Sequence, residues 1–338
     1  MTSKYPFLAL AFLGFLACSV LHAAGELKPV TYKGKNYVTL ESVQKFYGFP
    51  TLAKTGGKLV LKNAGTEIKF SPGGQEVLMN NVKFIFSDAV IPSSNGYLIS
   101  RTDLVKLLDP VLRPNYIREA KPFDTVIIDP GHGGRDSGAT NRYSTEAAYN
   151  LKIGTMLRDH LAKAGFKVIM TRDNNRYLSL RERVDVANKY NNAIFVSIHF
   201  NSGSYRARGI ETFTLSPVGV AHYGSSLKSS DYNEMQGNHQ DSANIALATA
   251  IHWGALSSLK RRANLSIPDR GIRRARYSVL TGIKHPAVLI EGGFMTHPTE
   301  SQIINSNVFQ KTYAEAIARS ILFYRKATTA KNSSATRR

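Results

Sequence analysis

The chain has 338 residues, 43% of them apolar and 20% charged, with 44 Lys and Arg against 24 Asp and Glu and a formal net charge of +20. That length and apolar content build one large domain or two ordinary ones, and exclude disorder or a fibrous repeat as the main state. So large a charge speaks to partners rather than to fold.

The first residues, MTSKYPFLALAFLGFLACSVLHAAGELKP, place one lysine before an apolar run from Phe7 to Ala17, then small residues between Ser19 and Gly25. This is the layout of a secretory signal, too short for an ordinary membrane helix. It predicts a signal peptide over 1–25 and a protein exported to the periplasm or cell envelope. Cleavage after Ser19 and cleavage after Gly25 both fit, and either removes Cys18, the single cysteine. If Cys18 were lipidated instead, the protein would be tethered to a membrane; FLAC, however, lacks the Leu at minus three and the Gly usual before a bacterial lipoprotein cysteine. Export also argues against nucleic acid, the usual partner of a basic protein, and in favour of envelope polymers and lipid headgroups.

Residues 26–115 read as short strands and turns: KPVTYKGKNYVTL, KLVLKNAGTEIKF, then SPGGQEVLMNNVKFIF. Close spacing and Gly, Asn and Pro breaks predict a small β-rich (α+β) module. Within it NYVTLESVQKFYG, from Asn36, is echoed by GYLISRTDLVKLLD, from Gly96, each copy a strand followed by a short amphipathic helix. The pattern loosely resembles the duplicated module named from the N-terminus of copper amine oxidases, which implies positioning or wall contact; a plain spacer fits as well.

From about residue 120 the texture changes. DTVIID, FKVIMTR, AIFVSIHF, GIETFTL and AVLIEGG are apolar runs of strand length, as in sheets covered on both faces. Helical patterns run from Glu146 to Lys163, Leu180 to Tyr190, Ser242 to Lys260 and Val308 to Tyr324. The alternation predicts a three-layer α/β/α domain over 120–326 with a mostly parallel sheet. Residues 216–241 are polar and loop-rich, fitting a lid, a substrate-contacting insertion or a surface excursion. Residues 327–338 read as a disordered basic tail.

Three of the expected strands end in a reactive group: the first leads through Asp129 to His132, the third ends in His199 and the fifth in Glu291. Ligands of open α/β sheets bind beyond the carboxyl ends of strands, so the three converge, and Glu146, fourteen residues past His132, can fold back over the same crevice. Two histidines and a carboxylate make a catalytic zinc set with an open fourth position. A second carboxylate that does not bind metal is then needed to move the proton, and Glu146 and Glu291 can divide those two tasks. Glu291 is hardest to explain structurally, because a carboxylate on a buried strand is costly without a partner.

The segments TVIIDPGHGGRDSGA, STEAAYNLKIGTMLRDHLAKAGFKVIMTR, SLRERVDVAN, FVSIHFNS, DRGIRRARYSVL and HPAVLIEGGFMTHPTE resemble those of the zinc-dependent N-acetylmuramoyl-L-alanine amidases of the amidase_3 type, in order and from about Thr125 to Tyr324. The resemblance implies Zn2+ as cofactor, His132, Glu146 and His199 as its ligands, and Glu291 as catalytic carboxylate. It implies peptidoglycan as partner, with hydrolysis of the amide between N-acetylmuramic acid and the L-alanine of the stem peptide; another zinc peptidase of the wall, or a wall-binding scaffold, is the competing reading. Some relatives carry a helix near 216–241 that blocks the site until an activator protein moves it, but this stretch has no helical periodicity. Phe200, after His199, stands where a smaller residue is commoner and predicts a narrower cleft. Asp129 is expected to hold a ligand histidine, and Asn201 to lie near the site. The basic run 258–276 puts Arg270, Arg273 and Arg274 beside it, where they would orient stem-peptide carboxylates.

Overall fold

The computed structural model describes residues 26–94 and 96–330, in two compact units that divide between Tyr116 and Ile117. The expected signal, Cys18 and the last eight residues lie outside the described residues.

The first unit runs β1 (Pro29–Tyr32), β2 (Lys35–Thr39), α1 (Leu40–Phe46), then β3 (Thr51–Thr55), β4 (Lys58–Lys62), β5 (Glu67–Phe70), β6 (Glu76–Met79) and β7 (Val82–Ile85). It closes with β8 (Ile91–Ser93), β9 (Gly96–Ser100), α2 (Arg101–Asp103), a π-helical turn at Leu104–Leu108 and α3 (Asp109–Leu112). Each copy of the internal repeat is a strand running into a helix capped by a hydroxyl: Thr39 Oγ1 accepts from Ser42 N at 3.1 Å, and Ser100 Oγ from Asp103 N at 3.0 Å. Such caps satisfy an amide that the first turn leaves without a partner. The two repeat strands pair antiparallel, Val38 opposite Ile99. Strands β3 to β7 form an antiparallel meander whose alternate residues, among them Leu61, Ile68, Val77 and Phe84, are buried.

The second unit runs β10 (Thr125–Pro130), α4 (Glu146–Lys163), β11 (Lys167–Met170), α5 (Leu180–Asn188), β12 (Ala193–Asn201), β13 (Ile210–Leu215) and α6 (Asp241–Arg262). It continues with β14 (Asp269–Ala275), α7 (Ser278–Thr281), β15 (Ala287–Phe294), α8 (Pro298–Asn305) and α9 (Asn307–Thr329). Its strands stand in the order β11-β10-β12-β15-β13-β14, every neighbouring pair parallel except β13 and β15. Successive strand residues face opposite ways: Ile127, Phe195, Leu289 and Phe213 join Ala187 of α5 in one core, while Ile128 faces Gly154 of α4 on the other side. Helices α4, α6 and α9 pack together. Three layers and a mostly parallel sheet are therefore what the chain forms.

Two expectations change. The basic run before the last strand holds a strand of its own, β14, with the sequence DRGIRRA; its charges conceal it because their partners come from β13 and α6. The final helix continues past Tyr324 to Thr329 with Ala327 buried, so residues 327–329, expected in the tail, are helical. The hydroxyls of Thr328 and Thr329 bond back to Tyr324 O and Arg325 O, which keeps this polar turn helical.

Candidate metal centre

Strand β10 delivers its loop to the carboxyl edge of the sheet, and two buried arginines hold that loop. Arg172 donates from Nε to Pro130 O and from Nη2 to Gly131 O and Ala147 O, all at 2.8 Å. Arg183 donates from Nη1 to Pro130 O at 2.9 Å and from Nη2 to His132 O at 2.8 Å. These bonds help hold His132 at φ +60°, a left-handed conformation that costs a residue with a side chain. Burial, with Arg183 beside it, pushes the Arg172 guanidinium down to about 10. The glycines are clearance. A Cβ on Gly131 would lie 2.2 Å from the His199 ring, and one on Gly138 would lie 2.5 Å from Glu146 Oε2.

Glu146 opens α4, whose cap Thr145 accepts from Ala148 N. Its Oε1 lies 3.0 Å from His132 Nε2 and 2.9 Å from His199 Nδ1. His132 Nδ1, on the far side of its ring, is 2.8 Å from Asp136 Oδ2. Burial pushes the Glu146 carboxyl up, but the bonds from both histidines outweigh it and hold the group well below the usual carboxylate range. Burial pulls the His132 imidazole down, and Glu146 and Asp136 reverse that, leaving it above its ordinary value.

The three donor atoms lie within 4.8 Å of one another, the one such cluster among the described residues. Two imidazole nitrogens and a carboxylate oxygen are the donor set of a catalytic zinc site. Ligands about 2.0–2.1 Å from a tetrahedral zinc stand roughly 3.3 Å apart, so the Glu146 oxygen, 3.0 and 2.9 Å from the two histidine nitrogens, needs to move from each by only a few tenths of an ångström. The residues fit the metal.

Glu291 faces this cluster from the next strand, directly opposite His199 in the parallel pairing of β12 with β15. Its Oε2 is buried without a hydrogen-bond partner. Burial, and after it the charges of Glu146 and Glu211, pushes its carboxyl well above the usual range. Glu211 is Glu291's opposite number on β13. Two carboxylates facing each other across a strand pair repel; here Glu211 is paired with Arg270 and Arg273 and takes a hydrogen bond from Asn201 Nδ2.

The sheet thus brings His132, Glu146, His199 and Glu291 together, with Asn201, Arg270 and Arg273 one step along the same edge. Asp129 lies elsewhere. It is fully buried and bonded to Thr171, Arg183 and Ser197, so it acts on the loop through Arg183; the residue that orients a histidine is Asp136, in the RDSGA quoted above. Phe200 does not narrow the cleft: it is 1% exposed and packs against Tyr149, Phe309 and Tyr313 behind the sheet. Glu211 escaped notice although, like Glu291, it is a carboxylate in an apolar strand, GIETFTL. Residues 216–240 hold two short 3-10 turns, Ser229–Tyr232 and Gln236–Gln240, and no α-helix. Arg276 ties them down, donating to Pro217 O, Val220 O and Asp231 O.

Known proteins have sequences similar to this chain. The family described as N-acetylmuramoyl-L-alanine amidase, Amidase_3, matches residues 126–322. The chain is 32% identical over 207 residues to the uncharacterized protein YqiI of Bacillus subtilis, covering 61% of this chain and 87% of that one. It is 28% identical over 204 residues to the amidase LytC of Bacillus subtilis, 60% of this chain but 36% of LytC. With the amidase AmiA of Escherichia coli the figures are 26% over 254 residues, 70% and 88%. Among solved structures, amidase AmiC2 of Nostoc punctiforme aligns with 59% of this chain and 96% of its own at 32% identity and a TM-score of 0.48.

Proposed function

Because the chain belongs to the Amidase_3 family of N-acetylmuramoyl-L-alanine amidases, we propose that it hydrolyses the N-acetylmuramoyl-L-alanine amide of peptidoglycan at the His132, Glu146 and His199 centre, with Glu291 moving the proton. The observation that carries this reading is the meeting of His132 Nε2, His199 Nδ1 and Glu146 Oε1 opposite an unpartnered Glu291 carboxylate.

A zinc ion held by these three groups would lower the pKa of a water toward 7 and polarise the scissile carbonyl. Asp136 holds the His132 ring so that Nε2 faces the metal position, as the outer partner of a ligand histidine does. Glu291 stands ready to take a proton at Oε2 and pass it to the departing amine of L-alanine. The buried Arg172 and Arg183 keep the His132 loop in place while this happens. The apolar N-terminal run supports work outside the cytoplasm, where the polymer lies, and the strong positive charge suits its anionic groups.

Purified peptidoglycan digested with and without a zinc chelator, and analysed by mass spectrometry, tests the reading. Whole stem peptides bearing free L-alanine amino termini are expected, and only without chelator. Cleavage inside the stem would make the protein a peptidase instead, and the absence of any zinc-dependent product would make it a scaffold.

A further inference from the structure

We propose that Arg270 and Arg273, set on Glu211, form a subsite for a free carboxylate of the stem peptide; this deepens the amidase reading and rests on it. Arg270 Nε donates to Glu211 Oε2 at 2.9 Å, and Arg273 Nη1 lies 2.9 Å from the same oxygen. Asn201, two residues beyond the ligand His199, donates to the other oxygen. One buried carboxylate therefore joins the metal-bearing strand β12 to both guanidiniums.

A regular strand would send residues 270 and 273 to opposite faces. The register slips here: Ile210 stands opposite Asp269 but Glu211 opposite Gly271. Arg270 is the extra residue, and a bulge of this kind re-aims a side chain. Gly209 leaves it room, since a Cβ there would come within 2.7 Å of Arg270 Cγ. Each guanidinium also lies over a ring, Arg270 at 4.8 Å from Phe294 and Arg273 at 4.2 Å from Tyr223. A bulge, a glycine and two stacked rings fix the pair in place.

Glu211 is the one carboxylate that pairs directly with the two guanidiniums, so a further carboxylate can bind the same pair. Among the described residues, both Nη groups of Arg270 and Nη2 of Arg273 have no protein partner, and planar N–H forks match a carboxylate. The Arg273 side chain is only 12% exposed, so this charge is less screened than one on the open surface. Glu291, Glu211 and Gly271 form one row across neighbouring strands. Strand spacing puts β14 about 10 Å from Glu291, roughly three residues of extended chain. A carboxylate within the first three residues of the stem reaches the arginines while the scissile amide sits at Glu291.

The experiment compares a soluble muropeptide with free stem carboxylates and the same fragment with them amidated. The wild-type protein should cleave the free form with kcat/KM about ten- to a hundredfold higher, the worth of a hydrogen bond to a charged group. In Arg270→Gln, chosen because Arg273 stays to neutralise Glu211, that ratio should fall toward one, with an unchanged melting temperature showing that the fold is intact. Equal cleavage of the two fragments by the wild-type protein overturns the subsite and leaves the amidase standing, and so does a ratio unaltered in the variant. Cleavage of neither fragment overturns both.

Discussion

On the His132 side of the crevice, arginines are buried and bonded mainly to backbone, with Arg183 also on Asp129; on the Glu211 side, they sit on a carboxylate at a more open edge and keep donors free. Arg172 and Arg183 satisfy the carbonyls of Pro130, Gly131, His132 and Ala147, which immobilises a glycine-rich loop that would otherwise be soft. Arg270 and Arg273 pair with Glu211 at a bulged strand. A guanidinium with all three nitrogens engaged, as in Arg172 and Arg183, is a brace, whereas one with a nitrogen to spare is a binding group. The two sides should therefore fail differently when mutated.

The largest effect belongs to the group between them. Glu291→Gln should lower kcat by about 10²–10⁴-fold with zinc content unchanged, measured by turnover and metal analysis of the same sample. Burial raises the Glu291 carboxyl above the usual range, and a base works only when ionised. The acid limb of kcat/KM should therefore lie above the ordinary carboxylate pKa, with activity lost as pH falls through it; a limb near 4 would contradict that cause.

On the bracing side, Arg183→Met strands the buried Asp129 and should cost about 3–5 kcal/mol of stability, read by denaturant unfolding. A loss of activity without a loss of stability would show that Arg183 does more than brace. Asp136→Ala should weaken zinc about 10- to 100-fold while leaving the fold intact, as followed by competition with a coloured chelator. Because His132 holds its proton above its ordinary value, zinc must displace that proton. Affinity should then fall as pH drops through the raised pKa, with proton release visible by calorimetry in buffers of different ionisation enthalpy. The smallest change is Thr145→Ala, which removes the cap of α4 and should cost about 1 kcal/mol with little effect on turnover.

The convergence of His132, His199 and Glu291 was legible in the sequence because each follows an apolar strand run and the sheet aligns those ends, whereas Glu146 comes to them from the first turn of a helix. Helix α4 was legible to the residue, from Glu146 to Lys163, through its helical pattern. Strand β14 was not, since its charges are compensated by Glu211 and His252 from elements distant in sequence. Asp129 and Asp136 flank His132 at similar sequence distance, and only the direction of the turn decides that Asp136 meets the ring. Phe200 alternates away from the ligand face simply because it follows His199 on a strand. Its burial could have been read from that alternation.

Zinc X-ray absorption spectroscopy on the purified protein tests the central claim most directly. One zinc per chain, bound by two imidazole nitrogens and oxygen donors about 2.0–2.1 Å away, is the expected spectrum, with one imidazole lost in His199→Ala. A spectrum with no imidazole shell, or one unaltered in His199→Ala, would contradict it.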